Sequence, residues 1–181
     1  MFEKSFDLLS EKGVLFEKGL SYIELQFIEN FYQIEFPQSL RNFLMEKVPV
    51  SNGFYNWRNM NKDNVEYIKE IIRIPFDRIY NMADEVYWCN DWGYKPDDEE
   101  IYLYTVREKL KSAPKLVPIY SHRYIPMILD KNPPILSIYD VDIIYYGIDL
   151  EDYINIEFGN KKQVDIQFDI VPHIDFWSDI M

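Results

Sequence analysis

The apolar positions of this chain keep two different rhythms. Up to Pro114 they recur at helical intervals, and beyond it they gather in short β-branched and aromatic runs separated by Pro, Asn and Asp. Ser21-Tyr22-Ile23-Glu24 has the spacing of a capping box. Ile23, Phe27, Ile28, Phe31 and Ile34 follow at helical steps, which predicts a core helix from about Tyr22 to Ile34. Pro37 suits the first turn of a second, short helix that carries Leu40, Phe43 and Leu44 on one face. Asn52-Gly53 marks a turn. A third helix is expected near Asp63, with Val65, Ile68, Ile71 and Ile72 inward, until Pro75 stops it. Asp97 to Lys111 has acids at its start and Lys109 and Lys111 at its end, the charge order that a helix dipole favours.

The later runs LVPIY, PILSIY and VDIIYYG read as strands, and Asp149 as the cap of a helix that places Leu150, Tyr153, Ile154 and Phe158 inward until Gly159-Asn160. In VDIQFDI the residues alternate strictly, Val164, Ile166, Phe168 and Ile170 against Asp165, Gln167 and Asp169, which predicts a half-buried strand. Helices precede strands, and no repeat or Gly/Ser linker interrupts them. The expectation is therefore one α+β domain over residues 1–181.

Charge changes the picture more than size does. The chain has 181 residues and a formal charge of -12, which excludes binding to nucleic acid through a general basic surface and favours a cationic partner. Residues 84–100 hold seven acids against Lys95, and residues 130–181 hold eleven against three bases, whereas residues 101–129 are net basic. Such segments either steer a basic partner or solvate an exposed face. Aromatic rings are plentiful, with twelve Phe, four Trp and fifteen Tyr, a composition that suits cores and partner surfaces. A single cysteine, Cys89, permits no internal disulfide, so a reducing, cytoplasmic compartment is expected. No stretch approaches the roughly 20 apolar residues of a membrane span, and no membrane partner is expected.

Two segments carry a more specific signal, VYWCNDWGYKP and LVPIYSHRYIP followed by PILSIYDVDIIYYGIDLEDYINIEF. With the early GLSYIELQFIENFYQIEFPQSLRNFL, they resemble the SUKH superfamily, the Smi/Knr-like domains that include a fungal cell-wall synthesis regulator and many bacterial toxin-immunity proteins. The matching positions are Trp88, Trp92 and Gly93, then Pro118, Ile119, His122, Arg123, Tyr124 and Pro126, then Ser137, Asp142, Ile143, Ile144, Tyr145, Tyr146 and Gly147. The resemblance runs from Gly19 to Phe158. It departs at Asn132-Pro133-Pro134-Ile135, where the bacterial branch often has Asn-Pro-Val. The resemblance implies a central, mostly antiparallel sheet with the N-terminal helices packed against it, and binding rather than catalysis. The implied role is an immunity protein that neutralises a cognate toxin, such as a basic nuclease, with an adaptor tied to cell-wall synthesis as the alternative.

The residues themselves leave several chemistries open. His122 beside Arg123 fits either anion binding or an ordered loop in which Arg123 meets a local acid. Asp140 and Asp142 lie two apart, so both carboxylates can share a strand face as an acid pair or stand solvated there, and His122 with Asp142 would be the pair for a hydrolase. One cysteine and two histidines are too few for a structural zinc site, and no Gly-rich phosphate loop occurs, so neither a metal nor a cofactor is expected. The expected partner-binding set is Trp88, Asp91, Trp92, Tyr94, His122, Arg123, Asp142, Tyr145 and Tyr146, with core packing as the competing role for the two indoles.

Overall fold

The computed structural model describes residues 2–181. Helices α1 (Glu3–Glu11), α2 (Tyr22–Tyr32), α3 (Gln38–Glu46), α4 (Lys62–Asn81) and α5 (Glu99–Lys111) precede a meander of strands. A small antiparallel pair, β1 (Phe16–Lys18) with β2 (Lys47–Pro49), is threaded among the helices. The meander itself is β3 (Leu116–Tyr120), β4 (Arg123–Pro126), β5 (Ile135–Tyr139) and β6 (Asp142–Gly147), and helix α6 (Leu150–Phe158) follows it. The four strands lie in sequence order, each antiparallel to its neighbour. The architecture is a mixed α+β domain.

Both faces of the four-stranded sheet are covered. Val117, Ile119, Ile125 and Ile135 pack into a core with Phe6 of α1, Leu25 of α2, Phe43 of α3 and Tyr153 of α6. Leu116, Tyr124, Leu136, Ile138 and Ile143 face a second core built from Val106 and Leu110 of α5 and from Ile174, Phe176 and Trp177 near the C-terminus. Each such aliphatic side chain stabilises the fold by about 1.5–3 kcal/mol when it is fully buried. Helix α4 serves both cores, with Ile68 in the first and Ile79 in the second. Pro118, which cannot donate to a ladder, lies on the edge strand β3, where no such bond is required. Gly147 ends β6 against α6 so closely that a Cβ there would stand 2.7 Å from the Tyr153 backbone.

Several elements lie where the pattern predicts. Ser21 and Glu24 close the capping box of α2, Asp98 accepts from the Ile101 amide at the start of α5, and Asp149 from the Asp152 amide at the start of α6. The buried face of α2 is different. Leu25, Ile28 and Tyr32 point inward, while Ile23, Phe27 and Phe31 are exposed, and the Phe27 and Phe31 rings stack on each other. The helix carries apolar residues on two sides, and packing selects between them.

Pro75 does not stop α4, which is capped by Asn61 and runs to Asn81. Proline removes the N–H that would bond the carbonyl four residues back, here that of Ile71. The Tyr124 hydroxyl of β4 donates to that carbonyl at 3.2 Å, so the gap in the helix is filled by the sheet. The alternating stretch after α6 is not a strand. It makes two short 3-10 turns, Gln163–Asp165 and Phe168–Ile170, which bury Ile166 and leave Val164, Phe168 and Ile170 exposed. The Asp165 carboxylate accepts from the Lys162 amide, a local bond that competes with extended pairing. At the edge of β6 the side chain of Gln163, rather than a neighbouring strand, donates to the Tyr145 carbonyl.

Two measurements test this account. Tyr124→Phe leaves the Ile71 carbonyl without its donor and is expected to cost about 1–3 kcal/mol in urea denaturation. Glu24 is held down to about 2 from its ordinary 4.5, first by the hydrogen bond from Arg58 and then by the Ser21 amide. Because its carboxyl titrates lower in the folded chain than in the unfolded one, its contribution is full above about 4.5 and is lost as the pH falls toward 2. The urea midpoints of the wild type and Glu24→Gln should therefore differ at pH 6 and converge near pH 2.

Candidate interaction surface

The segment between α4 and α5 alternates between core and solvent. Ala83, Val86 and Trp88 are buried, while Asp84, Glu85 and Tyr87 are exposed. Trp88 lies edge-on to Trp92 with ring centroids 5.5 Å apart and packs beside Tyr102 of α5 at 5.3 Å, and its indole N–H donates to the Gly93 carbonyl at 2.9 Å. Gly93 has φ 95°, the left-handed conformation that lets the chain turn back toward that indole. Trp92 stacks on Phe176 at 5.9 Å and donates to the Asp179 carboxylate at 3.0 Å. The Tyr102 hydroxyl donates to the Val86 carbonyl, and burial together with the Asp84 charge pushes its pKa up. The two indoles of the expected site thus anchor the segment rather than face a partner. Trp88 retains 7% of its exposure, and Trp92 is half-buried.

What the anchored segment presents is acid and tyrosine. Tyr94 is fully exposed, and Tyr87, Ile101 and Tyr104 are more than half exposed. None of the seven carboxylates of residues 84–100 forms an ion pair among the described residues. In the N-terminal half, by contrast, Arg58 holds both Glu17 and Glu24, and Arg41 holds Glu29. Asp84, Glu85, Tyr87, Trp88, Lys95 and Tyr102 also line an open cavity of about 450 Å³. Lys95 places its ammonium 5.0 Å from the centre of the Tyr102 ring.

The other expected residues lie elsewhere and do not form one site. Arg123 is buried. It bonds Glu157 at 3.0 Å and the Ser137 hydroxyl at 2.9 Å, and it stacks 3.8 Å from the centre of the Tyr146 ring. A guanidinium engaged on three sides has no free fork for an anion, so the expectation that Arg123 contacts a partner is corrected to a structural one. His122 sits in the turn before it, where burial and then the Arg123 charge lower its pKa. Its ring meets Tyr139 of β5, which pairs with Asp142, and no hydrogen bond joins His122 to Asp142. Asp140 is not on a strand face with Asp142. It occupies the β5–β6 turn with φ 54° and pairs with Arg78 at 3.4 Å. Tyr145 and Tyr146 point to opposite faces of the sheet, and the Tyr145 hydroxyl donates to the Pro172 carbonyl.

Of the nine expected residues, the structure therefore joins Trp88, Asp91, Trp92 and Tyr94 in one segment. It sets His122, Arg123 and Tyr146 in a second cluster, turns Tyr145 to the other face of the sheet against the C-terminal segment, and leaves Asp142 exposed at the start of β6. Tyr87, Lys95, Tyr102 and Tyr104 were not singled out, although the inward steps at Val86 and Trp88 frame Tyr87 as the residue turned outward. No group of three or more His, Cys, Asp or Glu gathers to hold a metal among the described residues. Likewise no helix there is long and apolar enough to cross a membrane.

Comparison with family models, with curated proteins and with solved structures gives no match. Side-chain geometry is what separates anchor from contact. Trp88→Ala should destabilise the fold by about 3–5 kcal/mol, as the loss of a packed indole does. Tyr94→Ala should leave thermal unfolding within about 0.5 kcal/mol of wild type.

Proposed function

We propose that this protein is a non-enzymatic binding protein that receives a basic protein partner on the acidic, tyrosine-bearing surface of residues 84–104. In keeping with the SUKH resemblance, the partner is a toxin that the protein neutralises by direct binding. The observation that carries this reading is the set of seven carboxylates without ion pairs among the described residues, interleaved with Tyr87, Tyr94 and Tyr104 on a segment fixed from below by Trp88 and Trp92. Uncompensated charge of one sign raises the encounter rate with a partner of the other sign. Tyrosines supply contact area with few rotatable bonds, and they are enriched among the residues that dominate interface energies. A rigid base under both keeps the ordering cost of binding low.

The test takes a basic toxin encoded in the immediate neighbourhood of this gene as the partner. Its association rate should fall as salt rises from 0.01 to 0.15 M, because the Debye length shortens from about 30 to 8 Å. The charge-reversed double variant Asp91→Lys with Glu99→Lys should associate at least about tenfold more slowly at low salt. It should also lose most of the salt dependence and protect cells poorly against the toxin. A rate flat in salt and equal in the two proteins would remove this surface from the interaction.

A further inference from the structure

The cavity beside Trp88 has a cation in its own wall. It is lined by the buried Trp88, Tyr102 and Val86, by Asn90, by the exposed Tyr87, and by the exposed acids Asp84 and Glu85. Lys95 comes from the far side of the Gly93 turn and holds its ammonium 5.0 Å from the centre of the Tyr102 ring, within the range of a cation–π contact. Yet Lys95 pairs with neither Asp84 nor Glu85, and no other cation among the described residues does. The site thus has an aromatic wall that attracts positive charge, a resident ammonium that meets only part of that demand, and two carboxylates left over.

We propose that this cavity receives an arginine side chain of the partner, and that Lys95 is its placeholder in the free protein. The inference rests on the reading of the surface as the seat of a basic protein. A guanidinium suits the cavity better than the ammonium that lines it. It is planar and lies flat on aromatic faces, it is more weakly hydrated than an ammonium, and its donors match carboxylates in pairs. The volume of about 450 Å³ leaves room for it. Contact of the Lys95 ammonium with the Tyr102 ring lowers the fraction of molecules in which that ring face is free, so the apparent affinity is reduced by that fraction. Removing the ammonium should restore it.

The test uses the full chain and a small probe, Nα-acetyl-arginine amide, with the uncharged citrulline analogue as control, followed through the Trp88 indole N–H resonance. Lys95→Met, which keeps the apolar stem and removes the charge, should bind the arginine probe at least fivefold more tightly than wild type. Asp84→Asn with Glu85→Gln should bind it at least fivefold more weakly. Both positions are exposed, so these variants retain the fold, which unchanged thermal unfolding verifies. The citrulline analogue should leave the resonance in place. Equal shifts from the two probes, or equal arginine affinity in wild type and Lys95→Met, would overturn the proposal. The titration needs no protein partner. Its failure beside salt-dependent association would remove the cavity and leave the binding surface standing, and the opposite result would do the reverse.

Discussion

A sheet buried on both faces is the constraint on which the other parts of this fold depend. Antiparallel sheets often leave one face to water, and their strands then alternate between apolar and polar residues. Here β3, β4 and β5 are buried at nearly every position, so each strand needs helices on one side and the C-terminal segment with α5 on the other. The polar groups that remain in the sheet must satisfy one another. Arg123 does so with Glu157, Ser137 and the face of Tyr146. Breaking such a buried pair costs more than the pair itself contributes, because one charge is left uncompensated. The cluster that looks most like an active centre in the sequence is thereby tied into the sheet.

The same constraint places the acids. With both faces of the sheet committed to apolar contact, the carboxylates of residues 84–100 are left on the connection that carries the chain from α4 into α5 and on the first turn of α5. That connection cannot drift into solvent, because Val86, Trp88 and Trp92 insert beneath it and Tyr102 closes over them. Its surface is therefore charged above and stiff below. A loop of this construction has little conformational freedom left to lose.

How much of this was legible depended on whether a signal was local. The caps Ser21 and Asp149 were legible, since each acts on an amide three residues away. The strand runs LVPIY, ILSIY and DIIYYG were legible from β-branched and aromatic content. The inward face of α2 was not, because Ile23-Phe27-Phe31 and Leu25-Ile28-Tyr32 are equally good apolar stripes and only the neighbouring elements choose between them. Nor was the fate of VDIQFDI, where a turn capped by Asp165 overrides a clean alternation. In the candidate surface the acid run and the tryptophans could be named from sequence. Assigning the tryptophans to the anchor and the tyrosines to the surface required the burial pattern and the indole hydrogen bonds to Gly93 and Asp179.

The proline in the middle of α4 also bears on the order in which the molecule is assembled. Alone, the helix has a missing rung at Ile71, and the residue preceding a proline is disfavoured in helical conformation, so its two halves are short and weakly joined. The hydroxyl that fills the gap belongs to Tyr124, 53 residues further along. At ordinary rates of synthesis that separation is roughly three to ten seconds of chain growth. During that interval the Ile71 carbonyl of α4 lacks the donor that later fills its gap. The arrival of β4 completes the helix, and with it the mechanical link between the two cores.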